Sequence, residues 1–330
     1  MGSDAIALPT LEYLFGEKER VSITAVYTQP DKARGRGKKV QPNAIKNWAI
    51  DRGIHVFQPD TFGEEEIQEL YGVKAEVILV MAYGHLLPQS VLDAPAQGIF
   101  NIHTSLLPQL RGASPIETAV ASGMEESGVT LMRLVKKMDA GPVCDQERLS
   151  IELQETGGSF REKLALASPP LLQRNLHAIL DGKIQSAEQN QEAVSYCRLL
   201  VKQDGQLDFT QPAQVLAHRI NGLNPWPGCF AELDGVNLKI GLASFLDSEE
   251  TVEPGIVIAC DSDGVQVGTG RGVVNFHSLQ KPGGKMLPAA SYLLGNPIVP
   301  GSQFISQEMH PLMSKKPISH KRVFQLYAKP

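Results

Sequence analysis

Asn101 and His103 are two residues apart at the end of an apolar run, Gly98 to His103 (GIFNIH). Successive side chains of a strand point to opposite faces, so a two-residue spacing places both on one face. That face would carry a neutral amide donor beside a titratable imidazole. Such a pair suits an acyl centre, where one group steadies a developing oxyanion and the other moves a proton. An isolated Asn and His can equally serve only to satisfy loop backbone. The surroundings favour chemistry: the pair opens into a Pro-bounded loop that ends in Arg111 and Gly112. Further on, Met138 to Pro142 (MDAGP) sets the Asp139 carboxylate before a Gly-Pro turn. A carboxylate near a histidine fixes its tautomer and favours its charged form.

The elements around these residues alternate between strand and helix. Leu8 to Phe15 reads as an amphipathic helix with Leu8, Leu11, Leu14 and Phe15 on one face. Val21 to Thr28 is a β-branched strand, and Val77 to Ala82 (VILVMA) is a continuous apolar run of the kind buried on both faces. Helices are predicted over Pro42 to Arg52, Glu64 to Tyr71 and Gly158 to Leu180, with a further strand in Ser127 to Val135. This alternation predicts an α/β fold with a parallel sheet, whose ligands bind beyond the carboxyl ends of the strands. Ala82-Tyr83-Gly84 and the stretch from Asn101 onward both lie at such ends. After Lys183 the texture changes to a polar, Gln- and Glu-rich stretch. Short apolar runs broken by Gly and Asp follow, as expected of a small antiparallel barrel or sandwich.

A second cluster is basic: Lys32, Arg34, Arg36, Lys38 and Lys39 fall within eight residues, interleaved with Gly35 and Gly37. It is neither a dinucleotide fingerprint nor a P-loop, since the third Gly is missing and Lys39 stands where Ser or Thr would bind Mg²⁺. Two readings stand: a solvated charged loop, or a loop that folds onto phosphates when nucleic acid binds. The net charge of −5 excludes a whole-protein nucleic-acid coat but not such a local patch. The four cysteines are 31 to 53 residues apart with no CxxC pair, which argues against zinc and a disulfide framework and fits a reducing compartment. No metal is expected. No apolar run reaches the ~18 residues of a membrane span, and no signal peptide is recognisable. A cytoplasmic monomer is the expectation.

Together, H-x-S-L-L-P-x-x-R-G, the upstream Asn101 and the downstream D-x-G resemble the 10-formyltetrahydrofolate-dependent formyltransferase family. The resemblance is greatest to its branch acting on methionyl-tRNA and spans roughly residues 1 to 304. It includes Thr28 to Asp31, Gly35 to Lys39, Ala82 to Gly84, Asn101 to Gly112, Asn224 to Pro227 and Pro282 to Lys285. It implies a Rossmann-like formyltransferase domain over 1–183, a linker over 184–203 and a small OB-like β-barrel that binds tRNA over 204–304; the basic stretch 305–330 lies beyond the resemblance and reads as an appended tail. It also implies formyl transfer from 10-formyltetrahydrofolate to the amino group of methionyl-initiator tRNA, the alternative acceptor being an amino sugar or other small amine.

In that scheme Asn101, His103 and Asp139 are catalytic. Ser105, Leu106, Leu107, Pro108, Tyr83 and Gly84 hold the folate co-substrate, although Leu106 and Leu107 also read as plain core. Lys32, Arg34, Arg36, Lys38, Lys39 and Lys285 contact the tRNA. Family members usually begin with a short apolar strand before the Met1-Gly2-Ser3 turn, so the resemblance implies either a start assigned too far downstream or a gap in the centre of the sheet.

Overall fold

In this computed structural model the described residues are 1–34, 37, 39–248 and 252–327, without the side chains of Arg34 and His320. From the first residue to the end of the central strand come α1 (Leu8–Gly16), β1 (Val26–Tyr27), β2 (Lys32–Arg34), β3 (Lys39–Gln41), α2 (Ala44–Ile50), β4 (Val56–Phe57), α3 (Glu64–Val73), β5 (Ile78–Val80), α4 (Gln89–Leu92) and β6 (Ile99–His103). Then follow β7 (Arg111–Gly112), α5 (Pro115–Ala121), β8 (Glu126–Arg133), β9 (Val143–Ser150), α6 (Gly157–Leu180), β10 (Tyr196–Cys197) and α7 (Ala213–Gly222). The last are β11 (Cys229–Leu233), β12 (Val236–Leu246), β13 (Val257–Cys260), β14 (Val265–Gly268), β15 (Val273–Gln280), β16 (Leu287–Pro288), α8 (Ala289–Gly295), β17 (Phe304–Ile305), β18 (Met313–Ser314) and α9 (His320–Gln325). They form two compact units: Met1–Arg111 with Gly128–Leu149 and Arg161–Val194, and Gly112–Ser127 with Ser150–Phe160 and Ser195–Pro330.

Local chemistry starts the helices of the first unit. Asn43 accepts the Lys46 N–H at 3.0 Å and caps α2. The first turn of α3 holds Glu64, Glu65 and Glu66, which suit the positive end of its dipole, and Glu66 also accepts the Gly63 N–H at 2.9 Å. The main sheet runs β5-β6-β8-β9. β5 and β6 are parallel, with Val80 opposite Asn101. The parallel pairing expected is present at β5–β6 and β1–β4, and β8 adds to the other edge of β6 antiparallel, with Met132 opposite Asn101 and Thr130 opposite His103. Ile99, Phe100 and Ile102 are buried, so β6 is pinned on both edges and both faces.

β1 pairs only with β4, and of the strand expected over Val21 to Thr28 only Val26–Tyr27 joins a ladder. Met1 to Ser3 lies between β1 and β5: the Gly2 N–H donates to Tyr27 O (2.9 Å), the Met81 N–H to Met1 O (3.0 Å), and the Met1 amine to Leu79 O (2.6 Å). A cavity of ≈ 170 Å³ has Met1, Leu11, Leu14, Ile23, Ala25, Leu79 and Leu172 among its lining residues. The apolar face of α1 looks onto this void, and only Thr10 of that helix is buried.

The second unit contains a curled antiparallel sheet ordered β13-β14-β15-β12-β11-β17, with β16 beside β15. Phe209, Phe276 and Phe304 meet in its core at centroid separations of 5.5–6.3 Å. Two segments differ from the sequence expectation. The polar stretch 184–203 is no open tether: Ile184, Gln189, Val194, Cys197, Leu200 and Val201 are buried. The tail is folded as well. Phe304 pairs with Leu233, Met313 pairs with Cys197, and Val323 is fully buried. Both are held by partners distant in sequence, which local composition does not report. Arg198 and Asp204 form a fully buried ion pair, and the Tyr327 hydroxyl donates to the same carboxylate.

Candidate functional site

The pairing of β6 decides where its two polar side chains stand. Asn101 is partly exposed, and among the described residues its amide makes no hydrogen bond. His103 is buried, with its Nε2 3.1 Å from the Leu110 carbonyl. A carbonyl oxygen only accepts, so Nε2 carries the hydrogen, a tautomer assigned from its partner. Leu110 can present that carbonyl because its backbone is left-handed (φ 56°), a conformation uncommon for a bulky residue. Nδ1 is then the nitrogen left for proton exchange. It faces the Asp139 carboxylate at 3.8 Å, beyond a hydrogen bond but within the range of direct electrostatic influence.

Asp139 sits in the loop that joins β8 to β9 and also has a left-handed backbone (φ 48°), which Asp tolerates better than most residues. The loop closes through the Arg133 N–H to Pro142 O bond (2.9 Å). A Cβ on Gly141 would stand 1.9 Å from Arg133 O, so the Gly of the D-x-G motif is required by close backbone approach. Gln189 reaches this turn from the segment expected to be a linker. Its Nε2 donates to Asp139 O (2.9 Å) and Gly141 O (2.8 Å). Its Oε1 accepts from Nε and Nη2 of the fully buried Arg111 at 3.0 and 2.7 Å.

The loop after His103 is packed inward. Ser105 is fully buried, and its hydroxyl donates to Gln109 O (2.7 Å). Leu106 and Leu107 are buried as core, the alternative left open by the sequence, and Pro108 is half-buried. The Thr130 hydroxyl donates to Ser105 O (2.6 Å) and accepts from the Leu107 N–H (3.1 Å) and Gln146 Nε2 (2.9 Å). Buried Ser105, Leu106 and Leu107 side chains thus shape the loop more than they line its outer surface. Past β5, Ala82 and Gly84 have positive φ and exposed backbone, while the Tyr83 ring is buried. Burial pushes the Tyr83 and Tyr27 phenols up, Tyr27 to about 12, so both remain protonated near neutrality.

Residues 6–176 match the family model described as formyl transferase, and residues 199–297 match formyl transferase, C-terminal domain. This chain belongs to the formyltransferase family. It is 39% identical to the methionyl-tRNA formyltransferase of Moorella thermoacetica, over 91% of this chain and 96% of that protein. It is 38% identical to that of Hahella chejuensis, over 83% and 86%. Among solved structures, an N-formyltransferase of Helicobacter canadensis in complex with folinic acid and dTDP-3-aminofucose superposes with a TM-score of 0.64 at 17% identity, over 83% of this chain and 97% of that one. HypX of Aquifex aeolicus in complex with tetrahydrofolic acid gives 0.56 at 18% identity, over 82% of this chain, which spans about half (47%) of HypX.

In this formyltransferase Lys32, Arg34 and Lys39 of the basic cluster lie on an antiparallel strand pair: β2 and β3 place Lys32 opposite Gln41 and Arg34 opposite Lys39. Lys32 and Lys39 are exposed, and Lys32 Nζ donates to Gln29 Oε1 (2.6 Å). Arg36, Lys38 and the Arg34 side chain lie outside the described residues. Lys285 is exposed in the second unit, after the turn in which Gln280 Nε2 donates to Gly284 O. Among the described residues no cluster of His, Cys, Asp or Glu could hold a metal, and no helix is long and apolar enough to cross a membrane.

The structure thus brings His103 and Asp139 together in the first unit, with Asn101 two residues before His103 on β6. Leu110, Arg111 and Gln189 complete the arrangement and were not singled out from sequence as site residues. Arg111 offered the one available signal, since a buried guanidinium demands acceptors.

Proposed function

We propose that this formyltransferase moves the formyl group of 10-formyltetrahydrofolate to the α-amino group of methionyl-initiator tRNA. The observation that carries the catalytic assignment is the division of labour at β6. The Asn101 amide is uncommitted, and His103 has Nε2 spent on Leu110 and only Nδ1 open, toward Asp139. The neutral amine attacks the formyl carbon, and the carbonyl electron pair moves onto oxygen. Asn101 donates to that oxyanion, an interaction strongest in the transition state. The proton lost by the attacking amine passes to the His103–Asp139 pair, directly or through water. It then goes to the folate nitrogen as the carbon–nitrogen bond to the donor breaks. An α-amino group with an ordinary pKa near ~8 is partly neutral at pH 7, so no strong base is required.

The donor's site is supported by the exposed Ala82 and Gly84, which follow β5, and by the packed 105–108 loop, which follows β6, the two strands pairing Val80 with Asn101. The basic hairpin, with Lys32 and Lys39 exposed, supports tRNA as the carrier of the acceptor, and Lys285 in the second unit adds a phosphate contact. Four free cysteines support a reducing, cytoplasmic setting. The enzyme acts as a monomer, which gel filtration checks.

The test is formyl transfer by the purified chain with 10-formyltetrahydrofolate and methionyl-initiator tRNA, with an amino-sugar nucleotide in a parallel arm. Formylation of the tRNA and not of the sugar is expected. The opposite outcome replaces the acceptor.

A further inference from the structure

We propose that Gln189 is a positioning residue for formyl transfer, its carboxamide fixing His103 and Asp139 relative to one another. The inference rests on the proposed reaction only for its activity readout. A primary amide has two N–H donors and an oxygen with two lone pairs, and here all four are used. The oxygen takes two bonds from the Arg111 guanidinium, which only donates. The nitrogen gives two bonds to the carbonyls of Asp139 and Gly141, which only accept. The opposite orientation of the amide would set donors against donors and acceptors against acceptors, so its direction is determined.

The two sides of this clamp are the two sides of the reacting pair. Arg111 follows Leu110, whose carbonyl holds the Nε2 hydrogen of His103. Asp139 is itself held through its main chain, at a residue with left-handed backbone. One buried side chain therefore links the segment that orients the imidazole to the turn that carries the carboxylate. The 3.8 Å gap between Nδ1 and Oδ1 is set across it. The residue type follows from the chemistry. A carboxylate would suit Arg111 but oppose two carbonyls, and an apolar side chain would leave both sides without partners at this position.

Two variants test this. Gln189→Glu keeps an acceptor for Arg111, so the fold is retained while the Asp139 turn loses both donors. Gln189→Met keeps the length and removes all four bonds. Each is compared with wild type by thermal unfolding, by kcat and KM for both substrates normalised to folded protein, and by ¹⁵N NMR of the histidine ring. For Gln189→Glu the expected result is a native unfolding transition, kcat lower by about ten- to a hundredfold with both KM values within threefold, and loss of the Nε2–H tautomer signal of His103. Gln189→Met gives the same kinetic and NMR changes in its folded fraction. Wild-type kcat in either folded variant overturns the proposal. So does a fall in kcat with the His103 signals unmoved, which marks a purely structural clamp. An inactive wild type refutes the proposed reaction instead, and the NMR comparison still decides the positioning role.

Discussion

Replacing Asn101 by Ala separates one catalytic interaction from the fold. β6 is held by backbone pairing to β5 and β8, and the partly exposed Asn101 amide bonds to nothing among the described residues. Its removal strands no buried partner, so stability should change by no more than about 0.5 kcal/mol. In the proposed reaction the same amide meets an oxyanion in the transition state, where one lost donor costs about 3–4 kcal/mol, or roughly 10²- to 10³-fold in kcat. Formyl transfer to methionyl-initiator tRNA under saturating folate measures that loss, and urea unfolding measures stability. KM for both substrates should stay near wild type, because the interaction develops only as charge reaches the oxygen. Asn101→Asp keeps the shape but replaces the donor with a repelling carboxylate, so it should be slower than Asn101→Ala. A kcat within tenfold of wild type for the Ala variant, or equal rates for both variants, would refute the oxyanion role.

Burial pushes the Met1 amine from 8.0 down to about 5, so the folded form holds it neutral while the unfolded chain takes up a proton as the pH falls through that window. Stability of a chain starting at Met1 should drop between pH 8 and pH 5 by up to about 4 kcal/mol, and N-terminal acetylation should abolish that component of the pH dependence in urea unfolding. Charge reversal at Lys32 and Lys39 should raise KM for the tRNA and lower its salt dependence by about one phosphate contact per residue, with KM for the folate unchanged. Asp204→Asn leaves the fully buried Arg198 without its counter-ion and should cost about 3–5 kcal/mol in a denaturant titration.

The sequence showed plainly those parts of the site where local pattern coincides with tertiary role. GIFNIH is both a strand by periodicity and the carrier of two polar residues on one face, and the structure forms it as β6. MDAGP needs its Gly for a backbone approach that any structure of this turn would impose. Gln189 was hidden because its neighbours are polar: Gln185, Glu188, Gln191 and Glu192 make the stretch read as solvent-exposed, and all four are indeed exposed. Its burial is dictated by Arg111 and the Asp139 turn, 78 and 50 residues away in sequence. The antiparallel setting of β8 was equally invisible, since an apolar run such as SGVTLMRLV looks the same in either direction. Leu106 and Leu107 satisfy two descriptions at once, core and folate loop, and both side chains are buried.

The clasp of Tyr327 on the Arg198–Asp204 pair has a consequence for the order of assembly. Tyr327 and Asp204 are 123 residues apart, and β18 pairs with β10 over a similar span. During synthesis Asp204 and Arg198 leave the ribosome long before the hydroxyl that completes their bonding. The second unit therefore spends that interval with a partly satisfied ionic core, and contacts of such long sequence separation form late. Its final locking waits on the residues around Tyr327, far along the chain from the ion pair that they complete.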